Sequence, residues 1–102
     1  NKDKYFLLKV YKKDNKYLLV KNRNFNFLKN FNIFPMQELT KPKNFNQNLN
    51  FKMSNMNMNI KIEYNNIIKS SPLSYWIDPK KLRNYTLPSF TKKIVNYLEN
   101  QK

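Results

Sequence analysis

The chain opens with two apolar runs of the kind that pair as a β-hairpin. Residues 5–11 (YFLLKVY) and 17–20 (YLLV) are rich in aromatic and aliphatic side chains that suit strands. Between them lies Asp14-Asn15, a pair that tolerates the left-handed backbone of a tight turn. The pattern therefore predicts two antiparallel strands joined by a short turn.

Alternation of apolar and polar residues predicts further strands at 50–53 and 56–64. One face of the second strand is expected to carry Met56, Met58, Ile60, Ile62 and Tyr64, and the other Asn57, Asn59, Lys61 and Glu63. Residues 31–36 are interpreted as one short strand that ends at Phe34-Pro35. Residues 74–77 are interpreted as another, with Trp76 as a core anchor.

The last third of the chain has helical periodicity. Asp78-Pro79 is typical of a helical turn with an aspartate cap, and Pro88 opens a final helix. Its apolar stripe is expected to contain Leu87, Phe90, Ile94, Tyr97 and Leu98, while Lys92 and Lys93 face solvent. Strands followed by helices indicate an α+β domain with a mixed β-sheet and a C-terminal helix.

Composition limits the chemistry available to this chain. It has 102 residues, the length of one small domain, and no Cys or His. Disulfides, thiolate chemistry and a Cys-bound metal are excluded, and the commonest general base is missing. We expect no catalytic constellation and no metal site, since the only carboxylates are Asp3, Asp14, Glu38, Glu63, Asp78 and Glu99. No apolar run approaches the ~18 residues of a membrane helix, so no membrane partner is expected.

The net charge of +14 and the pI near 10.0 favour a polyanionic partner such as nucleic acid. A second explanation stays open, because the abundant Asn, Lys, Ile, Phe and Tyr all have A/T-rich codons. The chain also has no Gly. Backbone positions with positive φ must then be filled by other residues, and we expect Asn15, Asn30, Asn65 and Asn66 to fill them.

Four signatures occur in a fixed order along the chain. They are the apolar hairpin, Ile33-Phe34-Pro35, Met53-Ser54-Asn55, and Tyr75-Trp76 ahead of Leu87-Pro88. Their order and spacing, over about residues 5–98, resemble the C-terminal domain of adenine DNA glycosylases, the MutY family. The resemblance implies a Nudix-like fold in which the Nudix helix is shortened or absent. It also implies that residues 1–102 are a single C-terminal domain of a longer protein.

The same resemblance implies a function in base excision repair. The family's C-terminal domain recognises 8-oxoguanine opposite adenine in double-stranded DNA. Adenine glycosylase activity and an iron–sulfur cluster belong to a separate catalytic domain of the same polypeptide, which is the second expected partner. This chain would then have no catalytic residue and no cofactor of its own, and it would be cytoplasmic in a bacterium.

The candidate nucleic-acid-binding residues fall into two groups. Met53, Ser54 and Asn55 stand where the family has Phe-Ser-His, and the Ser54 hydroxyl can accept the hydrogen that 8-oxoguanine carries at N7. Lys52, Lys21, Arg23 and Lys29 flank loops and are the candidate phosphate contacts. Alternatives stay open for both groups: a turn serine that bonds its own backbone, and ordinary solvated cations. Met53, Met56, Met58 and Met36 are interpreted mainly as core residues.

Three other functions remain as alternatives. The first is a basic nucleic-acid-binding or ribosome-associated protein without lesion specificity. The second is a Nudix hydrolase, which the shortage of carboxylates disfavours, because Glu38 alone between residues 35 and 50 cannot hold Mg²⁺. The third is a degenerate Nudix-like interaction scaffold.

Overall fold

A computed structural model describes residues 2–66 and 74–101. Seven strands precede a 3₁₀ segment and one α-helix in this part of the chain. They are β1 (Lys2–Lys13), β2 (Lys16–Lys21), β3 (Asn32–Ile33), β4 (Met36–Leu39), β5 (Leu49–Met53), β6 (Met56–Asn65), β7 (Ser74–Ile77), the 3₁₀ segment Pro79–Asn84 and α1 (Ser89–Glu99). The sequence also predicts that Asn65-Asn66 turns or bulges the strand before Ile67-Ile68, and these two isoleucines lie outside the described residues.

The predicted first hairpin is confirmed. β1 and β2 pair antiparallel, with Lys13 opposite Lys16. Asp14 and Asn15 form the turn, with φ of 51° and 61°. Both residues take the left-handed conformation that a two-residue hairpin turn demands, in a chain that has no glycine to supply it.

The sheet is mixed, which confirms the α+β prediction. β1 pairs in parallel with β6 from Lys2–Met56 to Tyr11–Asn65, and β5 pairs antiparallel with the outer edge of β6. The first half of β1 pairs antiparallel with β4 on its other edge. β2 diverges beyond the turn and pairs with β7 and β3. Residues 40–48, between β4 and β5, form no helix.

The prediction of one strand over residues 31–36 was wrong. The segment divides into β3, which pairs with β2, and the start of β4, which pairs with β1. Pro35 lacks the N–H that a continuous ladder needs and restricts the backbone of Phe34. The carbonyl of Pro35 instead accepts a hydrogen bond from the Lys9 amide at 2.8 Å, so the corner is fastened to β1.

The core lies between the sheet and α1. Met58 and Ile60 of β6 are fully buried there, as are Ile94 and Val95 of α1. The predicted helical stripe is confirmed for Leu87, Phe90, Ile94 and Leu98, which are buried, whereas Tyr97 is half-buried and Lys92 and Lys93 are exposed. Tyr64, in the same alternation near the end of β6, is 65% exposed.

Trp76 is not the core anchor that its size suggested. It is half-buried, and its neighbour Ile77 is fully buried in the core. Successive side chains of a strand point to opposite faces of the sheet. Ile77, which is paired with Tyr17, takes the core face of β7, and Trp76 takes the other.

Within residues 2–66 and 74–101, positive φ occurs at seven residues: Asp14, Asn15, Leu28, Asn30, Lys41, Asn44 and Ser54. The expectation is confirmed for Asn15 and Asn30 and is wrong for Asn65, which continues β6. Among non-glycine residues, those with short polar side chains, such as Asn and Asp, adopt this left-handed conformation at the lowest cost in free energy. Leu28 and Lys41 adopt it too, without a short polar side chain.

α1 contacts both parts of the sheet. The Phe90 ring packs edge-on against Phe51 of β5, with centroids 5.1 Å apart. The Thr91 hydroxyl donates to the carbonyl of Asn32 in β3 at 2.9 Å. At the other end of the helix, the Tyr17 hydroxyl donates to the Glu99 carboxylate. Among the described residues, no helix is long and apolar enough to cross a membrane.

The Tyr17–Glu99 contact predicts a loss of stability at high pH. Burial, together with the hydrogen bond to Glu99, raises the pKa of the Tyr17 hydroxyl above its ordinary value of 10.0. The unfolded chain therefore releases this proton first, and the free energy of unfolding falls as the pH rises above about 10. Urea unfolding of the wild type and of Tyr17→Phe should show that the wild-type advantage present at about pH 8 shrinks at about pH 11. An advantage that is the same at both pH values would contradict this assignment.

Candidate nucleic-acid interface

The predicted turn at Met53-Ser54-Asn55 forms the end of a hairpin. Met53 of β5 pairs with Met56 of β6, so Ser54 and Asn55 are the two turn residues. Ser54 has φ of 54°. The Asn55 carbonyl accepts from the Lys2 amide at 2.9 Å, which ties the turn to the start of β1. We call residues 52–55 the hairpin tip.

Three of the four predicted residues of the hairpin tip are accessible to a ligand. Lys52, Ser54 and Asn55 are exposed, and the Ser54 hydroxyl makes no hydrogen bond with any residue that the structure describes. The alternative of a serine bonded to its own turn is therefore not what is observed. Met53 differs, because it is half-buried and packs against the core.

The interpretation of the methionines as mainly core residues is confirmed. Met58 is fully buried, and Met36, Met53 and Met56 are partly buried against the core cluster. Met53 is therefore only partly accessible to a ligand at the hairpin tip. Its predicted contact with DNA stays a prediction.

A row of asparagines stiffens the strands behind the hairpin tip. The Asn57 side chain donates to Asp3 of β1 at 2.6 Å, and Asn50 of β5 donates to Asn57 at 2.9 Å. Asn59, which is only 7% exposed, donates to the carbonyl of Lys4 at 3.2 Å. We did not predict this network, although the alternate Asn positions in two adjacent strands were visible in the sequence. It joins β5, β6 and β1 on the face opposite the core.

The second group of predicted residues lies within residues 21–31, which we call the basic loop. The three cations Lys21, Arg23 and Lys29 are all exposed there. The loop has its own apolar anchor, because Phe25 and Phe27 stack with centroids 5.0 Å apart. Both rings also contact Phe6 of β1 edge-on at 5.7 Å.

Asn22 organises the basic loop and was missed in the sequence. It is 3% exposed, and its amide nitrogen donates to the carbonyls of Phe27 (2.6 Å) and Leu28 (3.1 Å). Its side-chain oxygen accepts from the amides of Asn24 (3.3 Å) and Phe25 (3.0 Å). One buried side chain thus satisfies four backbone groups of a loop that has no glycine. An Asn directly after a predicted strand was the available signal.

The hairpin tip and the basic loop lie on the same half of the molecule. The tip adjoins Lys2 at the start of β1, and the loop packs over Phe6 of the same strand. The first turn of α1 links them, because it contacts Phe51 two residues before Met53 and Asn32 one residue after the loop. The structure shows no direct contact between the two groups of predicted residues.

Three carboxylates lie away from both groups, whereas Asp3 and Glu38 lie near the hairpin tip, on the first half of β1 and on β4. Asp14, Asp78 and Glu99 line a cavity of about 270 Å³ at the opposite end of β1. Glu38 forms an ion pair with Lys4 at 3.4 Å, and Asp3 accepts from Asn57. The basic loop and the hairpin tip together contain four cations and no carboxylate. Each of the two groups therefore carries a net positive charge, which attracts phosphate. Within the described ranges, no group of three acidic side chains could hold a metal ion.

Comparison with models of known protein families and with curated proteins gave no match to this chain.

The Asn22 hydrogen bonds predict that the basic loop depends on one side chain. Asn22→Ala should lower the free energy of unfolding by about 1–3 kcal/mol, because it leaves buried backbone groups unsatisfied. Asn26→Ala, at an exposed position in the same loop, is the matched control and should change it by less than about 0.5 kcal/mol. Urea unfolding measures both. Equal effects of the two substitutions would contradict the role given to Asn22.

Proposed function

We propose that this domain binds DNA with the hairpin tip and the basic loop, and that it recognises 8-oxoguanine opposite adenine. On this proposal it is the Nudix-like C-terminal domain of an adenine DNA glycosylase. A separate catalytic domain of the same polypeptide would remove the adenine after flipping it out of the duplex. The observation that carries the proposal is the exposed Ser54 side chain at the end of a braced hairpin, two residues after the exposed Lys52.

The chemistry of the lesion suits a serine at a turn. Unlike guanine, 8-oxoguanine carries hydrogen at N7 and an oxygen at C8. The Ser54 hydroxyl can accept a hydrogen bond from N7, although the same hydroxyl can rotate and donate to N7 of guanine. Selectivity therefore needs a second, fixed donor toward the C8 oxygen, for which the backbone N–H of Ser54 or Asn55 is the candidate. Such a pair of contacts is worth about 1–3 kcal/mol of discrimination.

Hydrogen bonds to neighbouring strands hold the hairpin tip in place, which suits the recognition of a base. The asparagine row holds β5 and β6 against β1, and the Asn55 carbonyl is bonded to Lys2. A recognition group on a rigid element loses less conformational entropy when it binds. Lys52 precedes the turn and would contact phosphate, as would Lys21, Arg23 and Lys29 of the basic loop.

A second candidate function is nucleic-acid binding without lesion specificity. The net charge of +14 favours it, because phosphate contacts supply affinity irrespective of sequence. Such a protein would bind damaged DNA, undamaged DNA and RNA alike. The two functions therefore differ in their preference for the lesion and not in their affinity for DNA.

The proposal predicts that Ser54 controls the preference for the lesion. Ser54→Ala removes the hydroxyl and should weaken binding to a duplex with 8-oxoguanine opposite adenine about five-fold, equivalent to about 1 kcal/mol. Binding to the same duplex with guanine opposite adenine should barely change. Ser54→Gly should give the same result, and it serves as a check because glycine adopts the positive φ of position 54 without steric cost. Fluorescence anisotropy with labelled duplexes measures both affinities.

Lys52→Gln is the matched control for a phosphate contact on the same hairpin. It should weaken binding to damaged and undamaged duplexes alike. If Ser54→Ala and Ser54→Gly weaken both duplexes equally, or neither, then Ser54 is only a turn residue and lesion recognition is excluded. If the wild-type chain binds both duplexes and RNA equally, the second candidate function replaces the first.

A further inference from the structure

Phe31 is the most exposed of the phenylalanines. The chain has eight phenylalanines, and all of them lie in the described part of the structure. Seven are buried or half-buried, whereas Phe31 is 47% exposed. It occupies the end of the basic loop. A ligand that meets the three exposed cations of this loop can therefore also reach the Phe31 ring.

The backbone around Phe31 is fixed. Its carbonyl accepts from the Asn22 amide at 2.8 Å, and its own amide donates to the Leu28 carbonyl at 3.2 Å. Asn30, just before it, has φ of 69° and donates its amide to the Asn22 carbonyl at 2.7 Å. Asn22 is in turn the buried residue that organises the loop. Phe31 is therefore presented from an ordered part of the chain.

The cations lie close to this ring along the backbone. Lys21 pairs with Asn32, the next residue after Phe31, across the β2–β3 ladder. Arg23 directly follows Asn22, whose backbone amide donates to the Phe31 carbonyl. Lys29 is two residues before Phe31 in the chain. The chain has no carboxylate between Asp14 and Glu38. An aromatic face beside phosphate-binding cations is the arrangement with which proteins hold unstacked bases.

We propose that Phe31 stacks on an unstacked nucleobase while Lys21, Arg23 and Lys29 contact the flanking phosphates. The ligand is a base exposed in single-stranded or distorted DNA, and stacking does not select its identity, because every base has a π-face. This inference rests on the proposed function in so far as the basic loop meets DNA. It adds a base contact that is separate from the lesion contact at the hairpin tip.

The test separates stacking from charge with two oligonucleotides of equal phosphate content. One is oligothymidylate of about 12 nucleotides, within the site sizes known for single-strand binding. The other is the same backbone with every base removed. Phe31→Ala should weaken binding to oligothymidylate about 5- to 150-fold, the range expected for one stacked base. Binding to the abasic backbone should not change.

Two further variants control for folding and for loss of apolar surface. Phe31→Leu retains an apolar side chain without a π-face and should weaken binding to oligothymidylate nearly as much as Phe31→Ala. Tyr64→Ala removes an aromatic residue that is 65% exposed on β6, outside the basic loop, and should change neither affinity. Thermal unfolding of Phe31→Ala and Phe31→Leu should stay close to that of the wild type, since Phe31 is 47% exposed.

A tryptophan at position 31 gives a direct signal. Trp76 is the only tryptophan in the chain, so Phe31→Trp combined with Trp76→Phe carries a single reporter in the basic loop. Oligothymidylate should quench its fluorescence, and the abasic backbone should not. If Trp76→Phe impairs folding, Phe31→Trp alone serves, with the wild-type signal subtracted.

The outcomes separate this inference from the proposed function. Binding of oligothymidylate that Phe31→Ala leaves unchanged, or equal quenching by both oligonucleotides, would overturn the stacking contact alone. Failure of the wild-type chain to bind damaged duplex, undamaged duplex and oligothymidylate would overturn the proposed function and the stacking contact together. Loss of lesion preference in Ser54→Ala would leave the stacking contact unaffected.

Discussion

Most of the structure depends on hydrogen bonding along both edges of β1. One edge is paired with β6 over ten positions, and the other is shared between β4 and the start of β2. Because β4 occupies part of that edge, β2 has to diverge, and α1 contacts both resulting parts of the sheet. The hairpin tip and the basic loop are fastened to the first half of this strand. Their relative position is therefore set by the sheet and not by flexible connections.

The absence of glycine imposes a second constraint, which asparagine largely meets. Asn15, Asn30 and Asn44 adopt positive φ, while Asn22 uses its side chain to satisfy backbone groups in the basic loop. Several asparagines of this Asn-rich chain therefore have a structural role, either in turns or in hydrogen bonding to the backbone. The same loop presents three cations and one exposed ring, which links this constraint to the proposed binding surface.

The sequence was sufficient for features that depend on neighbouring residues. The Asp14-Asn15 turn, the tip at Ser54 and the stripe of α1 follow from local patterns, and the structure confirms them. Features decided by distant residues were not predictable in this way. They include the parallel pairing of β1 with β6, the corner at Pro35 and the outward position of Trp76. At the candidate site, the cations and the turn were identified, but Asn22 and Phe31 were missed, because their roles arise from burial and exposure.

The most direct test of the central claim is to map the surface that contacts DNA on the intact chain. Amide NMR spectra recorded during titration with a duplex containing 8-oxoguanine opposite adenine would show which residues are perturbed. The account predicts shifts concentrated at residues 21–31 and 52–55, with Ser54 and Asn55 responding more to the damaged than to the undamaged duplex. Shifts concentrated instead around Asp14, Asp78 and Glu99, or an absence of shifts at the hairpin tip, would contradict it.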